Sequence, residues 1–280
     1  VSKIQGAASR SVGVMSNAQP HHLQYSPLND LLAGTSSLMT VWAHPDDESF
    51  LAAGAMHTVA ANGGRVVNVS ATLGELGTAD PESWPPERLA RRRRAELARA
   101  LAHLGGAEME LLGLSDGSCE HLDDRMGARR IATVIEAVQP DLIVTFGPCG
   151  VTGHPDHQAI HRWTHRAVDA VDPRIPVLSV VTAAAWPDDL IEPLHEVGAF
   201  FPGYPEQDAS INDLHITLDE TTLEAKLAAL LSHESQIGPI LEHLGPDDFR
   251  RLFAAEAYRP TNFAARLAVG APDLLPLAAA

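Results

Sequence analysis

Residues 43–48 (Ala-His-Pro-Asp-Asp-Glu) lie between a short apolar run and a segment with a helical pattern of apolar residues. Residues 38–42 come before this stretch and predict a buried β-strand, and residues 49–61 follow it and predict an α-helix. Open α/β sheets bind their ligands at such turns, where the chain leaves the carboxyl end of a strand. The stretch therefore predicts both an α/β fold and a functional site at its first turn.

Strand and helix patterns alternate along the remainder of the chain. This order predicts a mostly parallel sheet with helices on both faces. Residues 186–212 have no clear period and predict an ordered surface loop that borders the site. Further strands are expected at residues 65–72, 109–112, 141–146, 177–184 and 214–218, and further helices at residues 86–104, 129–138, 155–171 and 223–231.

The chain has 280 residues, of which 45% are apolar, and this is enough to bury the core of one large α/β domain. We assign residues 37–280 to that single domain. Residues 1–36 are weakly patterned and rich in Ser, Ala, Gly and Asn, so we expect a flexible or draped N-terminal arm outside the fold.

The formal charge of −16 and the sequence pI near 5.2 describe an acidic protein. Such a charge repels nucleic acid and anionic membrane surfaces, so neither is expected as a partner. No run reaches the ~18 apolar residues that a membrane span needs, and the two cysteines form no zinc-binding Cys-x-x-Cys pattern. These features predict a cytoplasmic protein without a stable membrane anchor, and they do not predict its oligomeric state.

The His-Pro-Asp pattern occurs a second time at residues 153–157 (Gly-His-Pro-Asp-His), where a predicted loop enters a predicted helix. Zinc prefers imidazole nitrogen and carboxylate oxygen, and a catalytic zinc site usually has three protein ligands and one open position. If the strands before the two stretches lie side by side, both loops open at the same edge of the sheet. We therefore predict that His44, Asp47 and His157 bind one divalent metal ion per chain, expected to be Zn²⁺.

The other polar side chains of the two stretches have distinct expected roles. Adjacent side chains point apart, so Asp46 can face the attacking water as a general base while Asp47 binds the metal. A protonated His154 can stabilise an oxyanion or protonate a leaving amine, and Asp156 can fix the tautomer of a ligand histidine. Glu48 is expected to complement the N-terminus of the following helix.

A simpler interpretation stays open for both stretches. Acidic residues before a helix are an ordinary capping pattern, and a non-catalytic α/β binding module could contain them for that reason alone. Capping explains the carboxylates but not His44, His154 and His157. Metal analysis separates the two interpretations, since a three-ligand site normally retains its ion. His161 and His165 continue the second predicted helix and are expected to be ordinary, partly buried histidines.

At these two stretches the sequence resembles the LmbE-like, or PIG-L, family of N-acetylglucosaminyl deacetylases. Both family motifs are present without a change, and the resemblance extends over about residues 38–260. Weaker matches are the loop at 72–77 (Thr-Leu-Gly-Glu-Leu-Gly), Arg93 and Glu96 with Leu104-Gly105, residues 114–117 (Leu-Ser-Asp-Gly), Lys226, and His233-x-Ser235-Gln236.

The resemblance implies a Rossmann-like fold with a zinc site at the carboxyl ends of the strands. Its ligands would be His44, Asp47 and His157, with Asp46 as general base and His154 as oxyanion stabiliser or acid. It also implies that Glu75, Arg93 and Asp116 line a sugar-binding pocket. Some relatives have a tyrosine two residues before the first histidine of the second motif, as a proton donor. This chain has Thr152 there, so protonation of the leaving amine would rest on His154 or on the base after it has taken a proton.

The activity that the resemblance implies is hydrolysis of the N-acetyl group from an N-acetylglucosaminyl moiety of a soluble, small-molecule glycoconjugate. The aromatic residues at 200–204 fit a bulky aglycone, so the first expectation is a glycopeptide-antibiotic pseudoaglycone, and a thiol-pathway glycoside is the second. The alternative within the same metal chemistry is an amidase that acts on a thiol-pathway glycoside or conjugate.

Overall fold

The computed structural model describes residues 27–182, 185–205, 210 and 213–270, and in them strands and helices alternate as predicted. The strands are β1 (Ser37–Trp42), β2 (Arg65–Ser70), β3 (Glu108–Leu111), β4 (Leu142–Thr145), β5 (Val177–Val180), β6 (Leu214–Thr217) and β7 (Ala255–Pro260). The helices are α1 (Pro27–Gly34), α2 (Asp47–Leu51), α3 (Ala53–Ala61), α4 (Pro86–His103), α5 (Asp124–Val138), α6 (Gly150–Gly153), α7 (Pro155–Val171), α8 (Ile191–Glu196), α9 (Glu220–Ser232), α10 (Glu234–Leu252) and α11 (Phe263–Ala268).

These strands form one sheet in the order β3-β2-β1-β4-β5-β7-β6. Strands β1 to β5 are parallel, whereas β7 runs antiparallel to both of its neighbours, β5 and β6. Met39 in β1 pairs with Val67 in β2 and with Ile143 in β4, so β1 lies inside the parallel part. The predicted Rossmann-like, mostly parallel sheet is confirmed.

Strands β1 and β4 are neighbours in the sheet although β2 and β3 lie between them in the chain. The chain moves outward from β1 to β2 and β3, then returns to the other side of β1 for β4 and continues to β5. Such a reversal opens a crevice at the carboxyl ends of the two central strands, because their helices go to opposite faces of the sheet. Both His-Pro-Asp stretches follow these strands, so the topology brings them to one crevice.

The hydrophobic core supports this crevice from below. Strands β1, β2, β4 and β5 are buried along nearly their whole length, as expected for parallel strands that are covered on both faces. The rings of Trp42, the last residue of β1, and Phe146, the first residue after β4, meet edge to face with centroids 4.9 Å apart. Phe146 also stacks on His157 at 4.2 Å, so the core contacts a predicted metal ligand directly.

The helix predicted over residues 49–61 is divided into α2 and α3. The two helices meet at Ala52, whose φ of −144° and ψ of 11° are not helical. The Glu256 carboxylate, from β7, accepts hydrogen bonds from the N–H groups of Gly54 and Ala55 and thereby caps α3. The local sequence does not reveal the break, because the capping group lies about 200 residues further along the chain.

Strand β7 is not among the predicted strands, since Glu256 and Arg259 interrupt any apolar run there. It is nevertheless a buried strand between β5 and β6. Glu256 accepts a hydrogen bond from Lys226 Nζ at 2.7 Å, and Arg259 Nε donates to Asp213 at 2.7 Å. Charged side chains are tolerated in this strand because each has an oppositely charged partner.

Helix α10 also goes unpredicted, because Pro239, Gly245 and Pro246 interrupt its pattern. It is kinked at Gly245, where φ is 73° and ψ is 168°. Short helical elements occupy part of the predicted loop at residues 186–212, namely Asp188–Leu190 and α8. Helix α11 was not predicted either. Residues 183–184, the end of the strand predicted at residues 177–184, lie outside the described residues.

Helix α1 lies in the segment that the sequence assigns to an N-terminal arm. Leu28 and Leu32 are completely buried and belong to the main core. Residues 27–36 are therefore part of the fold, which corrects the boundary drawn at residue 36; residues 1–26 of the predicted arm lie outside the described residues. Within the described chain, no helix combines the length and the apolarity needed to cross a membrane.

Candidate metal centre and active site

The three predicted metal ligands lie together in the crevice between β1 and β4. His44 follows β1, Asp47 begins α2, and His157 lies in the first turn of α7. His44 Nδ1 and His157 Nε2 are 3.1 Å apart. The Asp47 carboxylate lies beside both rings, with Oδ1 3.5 Å from His157 Nε2 and Oδ2 3.7 Å from His44 Nδ1. Two distant loops thus bring two nitrogens and a carboxylate to one point.

Acceptor oxygens behind both rings determine which nitrogens carry protons. His157 Nδ1 lies 2.9 Å from the Gly150 carbonyl oxygen, which can only accept, so Nδ1 is protonated and Nε2 has a free lone pair. His44 Nε2 lies 3.0 Å from Asp116 Oδ1 and 3.6 Å from Asp156 Oδ2. These carboxylates favour a proton on Nε2 and leave the lone pair on Nδ1. When His44 is neutral, the two lone pairs therefore face each other.

This arrangement of donors suits a cation. Two lone pairs at 3.1 Å repel each other unless a positive group lies between them, and the Asp47 carboxylate adds negative charge. Two ligand nitrogens at about 2 Å from a tetrahedral zinc ion are about 3.3 Å apart, close to the separation observed. The residues present therefore fit a divalent metal ion, and zinc accepts such a donor set.

The pKa values of the two rings favour a single positive charge on the pair. Burial by itself lowers the pKa of His44, but its contacts with Asp116 and Asp156 outweigh burial and raise that pKa to about 10. Burial and the neighbouring His44 lower the pKa of His157 to about 3. One positive charge is therefore favoured between the rings at neutral pH, which is where a bound cation would lie.

A third imidazole, His154, faces the same crevice. Ligand atoms of His44, His154 and His157 lie within 4.8 Å of one another, so His154 can reach the same ion or its surroundings. His154 Nδ1 accepts the Asp156 N–H, so the proton of the neutral ring is on Nε2. Burial, His44 and His157 lower the pKa of His154 to about 4. The structure thus favours a neutral hydrogen-bond donor over the protonated imidazole that the sequence suggests.

Asp46 lies beside the cluster and lines the cavity above it. Its φ of 112° and ψ of −32° are rare for a residue other than glycine, so contacts must hold it there. Arg93 Nη2 lies 3.1 Å from Asp46 Oδ2, and the Asp46 N–H donates to Glu48 Oε2 at 3.0 Å. Burial raises the pKa of Asp46 to about 6, while Arg93 opposes the rise. Such a carboxylate is ionised at pH 7 yet basic enough to accept a proton.

Arg93 was predicted to line a sugar pocket, and it does line the cavity, but its contacts are with the protein. In addition to its contact with Asp46, it donates to the carbonyl oxygens of Gly74 and Pro45. Gly74 has a φ of 61°, and a Cβ at this position would lie only 2.1 Å from Arg93 Nη1. The glycine therefore allows the guanidinium to approach, and Arg93 positions the turn that contains Asp46.

Glu48 lies in the first turn of α2 as expected, but it is completely buried and paired with His233. Its Oε1 lies 2.8 Å from His233 Nε2 and accepts a hydrogen bond from Ser49 Oγ. Burial disfavours ionisation of both groups, but their mutual attraction outweighs it, lowering the pKa of Glu48 and raising that of His233. The Glu48 carboxylate, which accepts the Asp46 N–H, is thus held in place by His233 at the junction of α9 and α10.

That junction makes further contacts around the site. Ser235 donates from its N–H and its hydroxyl to Glu96 in α4, and Gln236 Nε2 donates to the Gly77 carbonyl. Together with His233, these residues connect α2, α4 and the loop after β2. The sequence marks them only by the short His-x-Ser-Gln pattern, whose function was not predicted.

Asp116 shares the role that was predicted for Asp156. Asp116, predicted to bind sugar, is the carboxylate nearer to His44 Nε2, at 3.0 Å. Asp156, predicted to orient a ligand histidine, lies 3.6 Å from the same atom and accepts the N–H groups of Gly117 and Cys119. Both carboxylates can hold the tautomer of His44, and Asp116 also lines the cavity.

Glu75 does not line this cavity, contrary to its predicted place in the sugar pocket. It lines a separate cavity of about 330 Å³, together with residues of the loop after β2 and of α4. Its Oε1 accepts the Asp116 N–H at 3.0 Å. Glu75 therefore supports the backbone of a residue that lies beside the predicted ligand His44.

A cavity of about 450 Å³ lies over the cluster, which is a typical size for a small-molecule site. Its polar lining includes Gly77, Asp116 and Gln236. The predicted site-bordering segment after β5 does contribute to the lining, together with part of α10. The apolar lining includes Phe50, Trp186, Leu194, Phe200, Leu252 and Phe253.

Comparison with known proteins places this arrangement in a family. Residues 39–168 match the family described as PIG-L: GlcNAc-PI de-N-acetylase. A 1D-myo-inositol 2-acetamido-2-deoxy-alpha-D-glucopyranoside deacetylase of Corynebacterium diphtheriae is 31% identical over 227 residues, which are 71% of this chain and 75% of the relative. A protein of the same name from Thermomonospora curvata is 31% identical over 266 residues, 79% of this chain and 89% of the relative.

The chain belongs to the PIG-L family. This membership confirms the resemblance that the two motifs carry, and it makes the protein an enzyme of the deacetylase class. A non-catalytic module that contains the motifs only as helix caps is thereby set aside. The first expectation for the substrate, a glycopeptide-antibiotic pseudoaglycone, is not supported, because these relatives are named for an inositol glycoside.

Solved structures share the fold of this PIG-L protein at lower sequence identity. The N,N'-diacetylchitobiose deacetylase from Pyrococcus horikoshii has a TM-score of 0.59 and 21% identity, covering 83% of this chain and 86% of that one. The A40926 pseudoaglycone deacetylase Dbv21 has a TM-score of 0.60 and 19% identity, covering 80% and 96%. The hydratase GalB from Pseudomonas putida also matches, with a TM-score of 0.56, so these similarities establish the fold alone.

Proposed function

We propose that this PIG-L protein removes the N-acetyl group from an N-acetylglucosaminyl inositol, the thiol-pathway glycoside that ranked second among the expected substrates. The observation that carries the proposal is the pair of facing nitrogens of His44 and His157, 3.1 Å apart beside Asp47, with the Asp46 carboxylate next to them. The relatives of 31% identity support the substrate, since their names specify such a glycoside.

His44, Asp47 and His157 are the residues that would hold the metal ion, which we propose to be zinc. When bound there, the ion would polarise the amide carbonyl and lower the pKa of water at the site. The chain supplies the rest of the chemistry. Asp46, held by Arg93 and by the N–H contact with Glu48, is positioned to accept a proton from the attacking water.

His154 is proposed to stabilise the carbonyl oxygen as it becomes negative. Its neutral ring has the proton on Nε2, so it donates a hydrogen bond without carrying charge of its own. Thr152 lines the cavity at the position where some relatives have a tyrosine, and its hydroxyl is no acid at neutral pH. The protonated Asp46 therefore returns its proton to the leaving nitrogen as the amide C–N bond breaks, giving acetate and the free amine.

The polar lining of the cavity supports binding of a sugar. Burial favours the neutral form of Asp116, but the contact with His44 outweighs burial and keeps the pKa of Asp116 below its usual range. An ionised carboxylate accepts hydrogen bonds from sugar hydroxyls, and Gln236 and the Gly77 backbone lie nearby in the lining. We propose that these three groups bind the glucosaminyl ring and its aglycone.

The proposal is tested by incubating the zinc-loaded protein with N-acetylglucosaminyl inositol and measuring acetate and free amine separately. We expect both products in equal amounts, and none after the metal is removed with a chelator. A second reaction contains a thiol-pathway conjugate whose glucosamine nitrogen is acylated by an amino acid. Release of amine from that conjugate alone would reject the deacetylase in favour of the amidase.

A further inference from the structure

The cavity over the predicted metal ligands has two walls of different chemistry. Gly77 follows β2 and Asp116 follows β3, so this polar wall lies on the β2–β3 side of the sheet. Trp186, Leu194 and Phe200 follow β5, so this apolar wall lies on the opposite side. The predicted ligands follow β1 and α6, at the centre of the sheet. They therefore lie between the two walls.

The apolar wall belongs to a hydrophobic cluster that is separate from the main core. Leu252 and Phe253 are buried at its base, and Phe253 packs edge to face on Phe50 with centroids 5.4 Å apart. The ring centroids of Trp186 and Phe200, which belong to the same wall, lie 6.1 Å apart. Among the described lining residues between β5 and β6, the Trp186 indole is the one side chain able to form a hydrogen bond. This wall therefore suits a hydrocarbon group.

The reacting amide divides the substrate into two parts at its carbonyl carbon. The sugar is attached through nitrogen, and the acyl group extends from the other side of the carbon. Because the carbonyl must lie at the predicted metal ligands, the two parts extend toward different walls. Sugar hydroxyls lose their hydrogen bonds to water on burial and need polar partners, which the polar wall offers. The acyl group then faces the apolar wall.

We propose that the apolar wall binds the N-acyl group and that the enzyme hydrolyses N-acylglucosaminides with acyl chains longer than acetyl. This inference rests on the proposed function and adds the acyl specificity of that site. The reaction is the same hydrolysis: water supplies hydroxyl to the acyl carbon, the C–N bond breaks, and the amine nitrogen takes a proton. The products are a longer carboxylate and the same amino sugar.

The first test uses one glucosaminyl inositol in its N-acetyl, N-butyryl and N-hexanoyl forms and measures release of the common amine. Each methylene that moves from water to the apolar wall is expected to raise kcat/KM by about threefold to fourfold. The butyryl form should therefore be hydrolysed about tenfold more efficiently than the acetyl form. A steady fall in kcat/KM from acetyl to hexanoyl would overturn the inference while leaving the proposed deacetylase intact.

A second substrate series distinguishes the acyl group from the aglycone as the occupant of the wall. The N-acetyl group is kept, and the inositol is replaced by methyl, butyl and octyl groups. We expect no gain along this series. A rise with aglycone length, without a rise along the acyl series, assigns the wall to the aglycone and overturns the inference. If no compound of either series is hydrolysed, the proposed function itself fails.

A variant that fills the wall tests the same inference from the protein side. Ala199 lines the cavity in the segment after β5, and Ala199→Phe adds a ring there. We expect the ratio of kcat/KM for hexanoyl to that for acetyl to fall by about tenfold or more. Glu192→Phe adds the same ring at an exposed position of α8 and should leave the ratio unchanged. An unchanged ratio in Ala199→Phe, with normal metal content, would contradict the assignment.

Discussion

Helix α7 contributes histidines to two pairs that behave differently. His157 faces His44 across the crevice with ring nitrogens 3.1 Å apart, whereas His161 and His165 face each other with ring centroids 4.5 Å apart. The first pair has carboxylates around it. In the second pair, His161 Nδ1 lies 2.8 Å from the Phe146 carbonyl, and no acidic side chain of the described residues forms an ion pair with either ring.

The pKa values follow this difference in surroundings. Burial lowers the pKa of His161, and burial together with its neighbour lowers that of His165 to about 4, so both rings are neutral at pH 7. The pKa of His44, by contrast, is raised to about 10 by its carboxylate contacts despite burial. Both places pair two imidazole rings at close range. What makes one pair a candidate metal site is the charge that the fold places behind and beside the rings.

The largest effect that this comparison predicts is the loss of metal from His157→Ala. Removal of one of three protein ligands should reduce bound metal to below about 0.1 ion per chain after purification without chelator, and activity should fall to background. The matched control is His161→Ala, one turn later on α7, which should retain its metal. Metal analysis of both purified variants checks the prediction. Equal metal contents would mean that the wrong pair has been chosen.

Asp46→Asn should separate metal binding from proton transfer. The variant keeps the three predicted ligands, so its metal content should match that of the wild type. Its kcat should fall by about 10²–10⁴-fold, because the amide cannot accept a proton from water. Asp172→Asn, at a partly exposed carboxylate just beyond α7, is the control and should keep full activity. Loss of metal together with activity would show that Asp46 is a ligand rather than a base.

Asp116→Asn should weaken metal binding by about 10–100-fold, because the carboxylate nearest to His44 Nε2 would no longer hold the tautomer. Competition with a chelator of known affinity measures the change. Asp156→Asn serves as the comparison, since its carboxylate is further from the ring, at 3.6 Å, and also accepts two backbone N–H groups. A larger loss of metal affinity in Asp156→Asn than in Asp116→Asn would reverse the assignment of these two residues.

The smallest predicted effect concerns the pair of His161 and His165, which is neutral at pH 7. The folded-state pKa of His165, about 4, lies below its unfolded value of 6.5, so the unfolded chain binds the proton first as pH falls. The stability that depends on neutral His165 is present above pH 6.5 and is lost between pH 6.5 and 4, by at most about 1.4 kcal/mol per pH unit.

Urea unfolding of the wild type and of His165→Asn, at pH 7.5 and at pH 5, measures this loss. The free energy of unfolding should fall less in the variant than in the wild type over that interval, because asparagine does not titrate. His121→Asn replaces an exposed histidine and should behave as the wild type does. A parallel fall in all three proteins would exclude the predicted contribution of His165.

Much of the fold could be predicted because its signals are local. The run at residues 38–42, the turn at residues 43–48 and the helix that opens at Pro155 are each set by a few neighbouring residues. Elements whose stability depends on distant partners were missed. Strand β7 is buried with Glu256 in it because Lys226 lies opposite, and α3 begins where it does because the same glutamate caps it.

For the site, the sequence by itself determined the chemistry: two His-Pro-Asp stretches at the ends of two strands supply imidazoles and carboxylates of the kind that bind zinc. Only the tertiary structure decided how the surrounding groups are used. It placed Asp116 behind His44, turned Arg93 toward Asp46, and buried Glu48 against His233. The physical reason is that residue type limits which bonds a side chain can form, whereas burial, distance and neighbouring charge select among them, and these arise only when separate loops pack together.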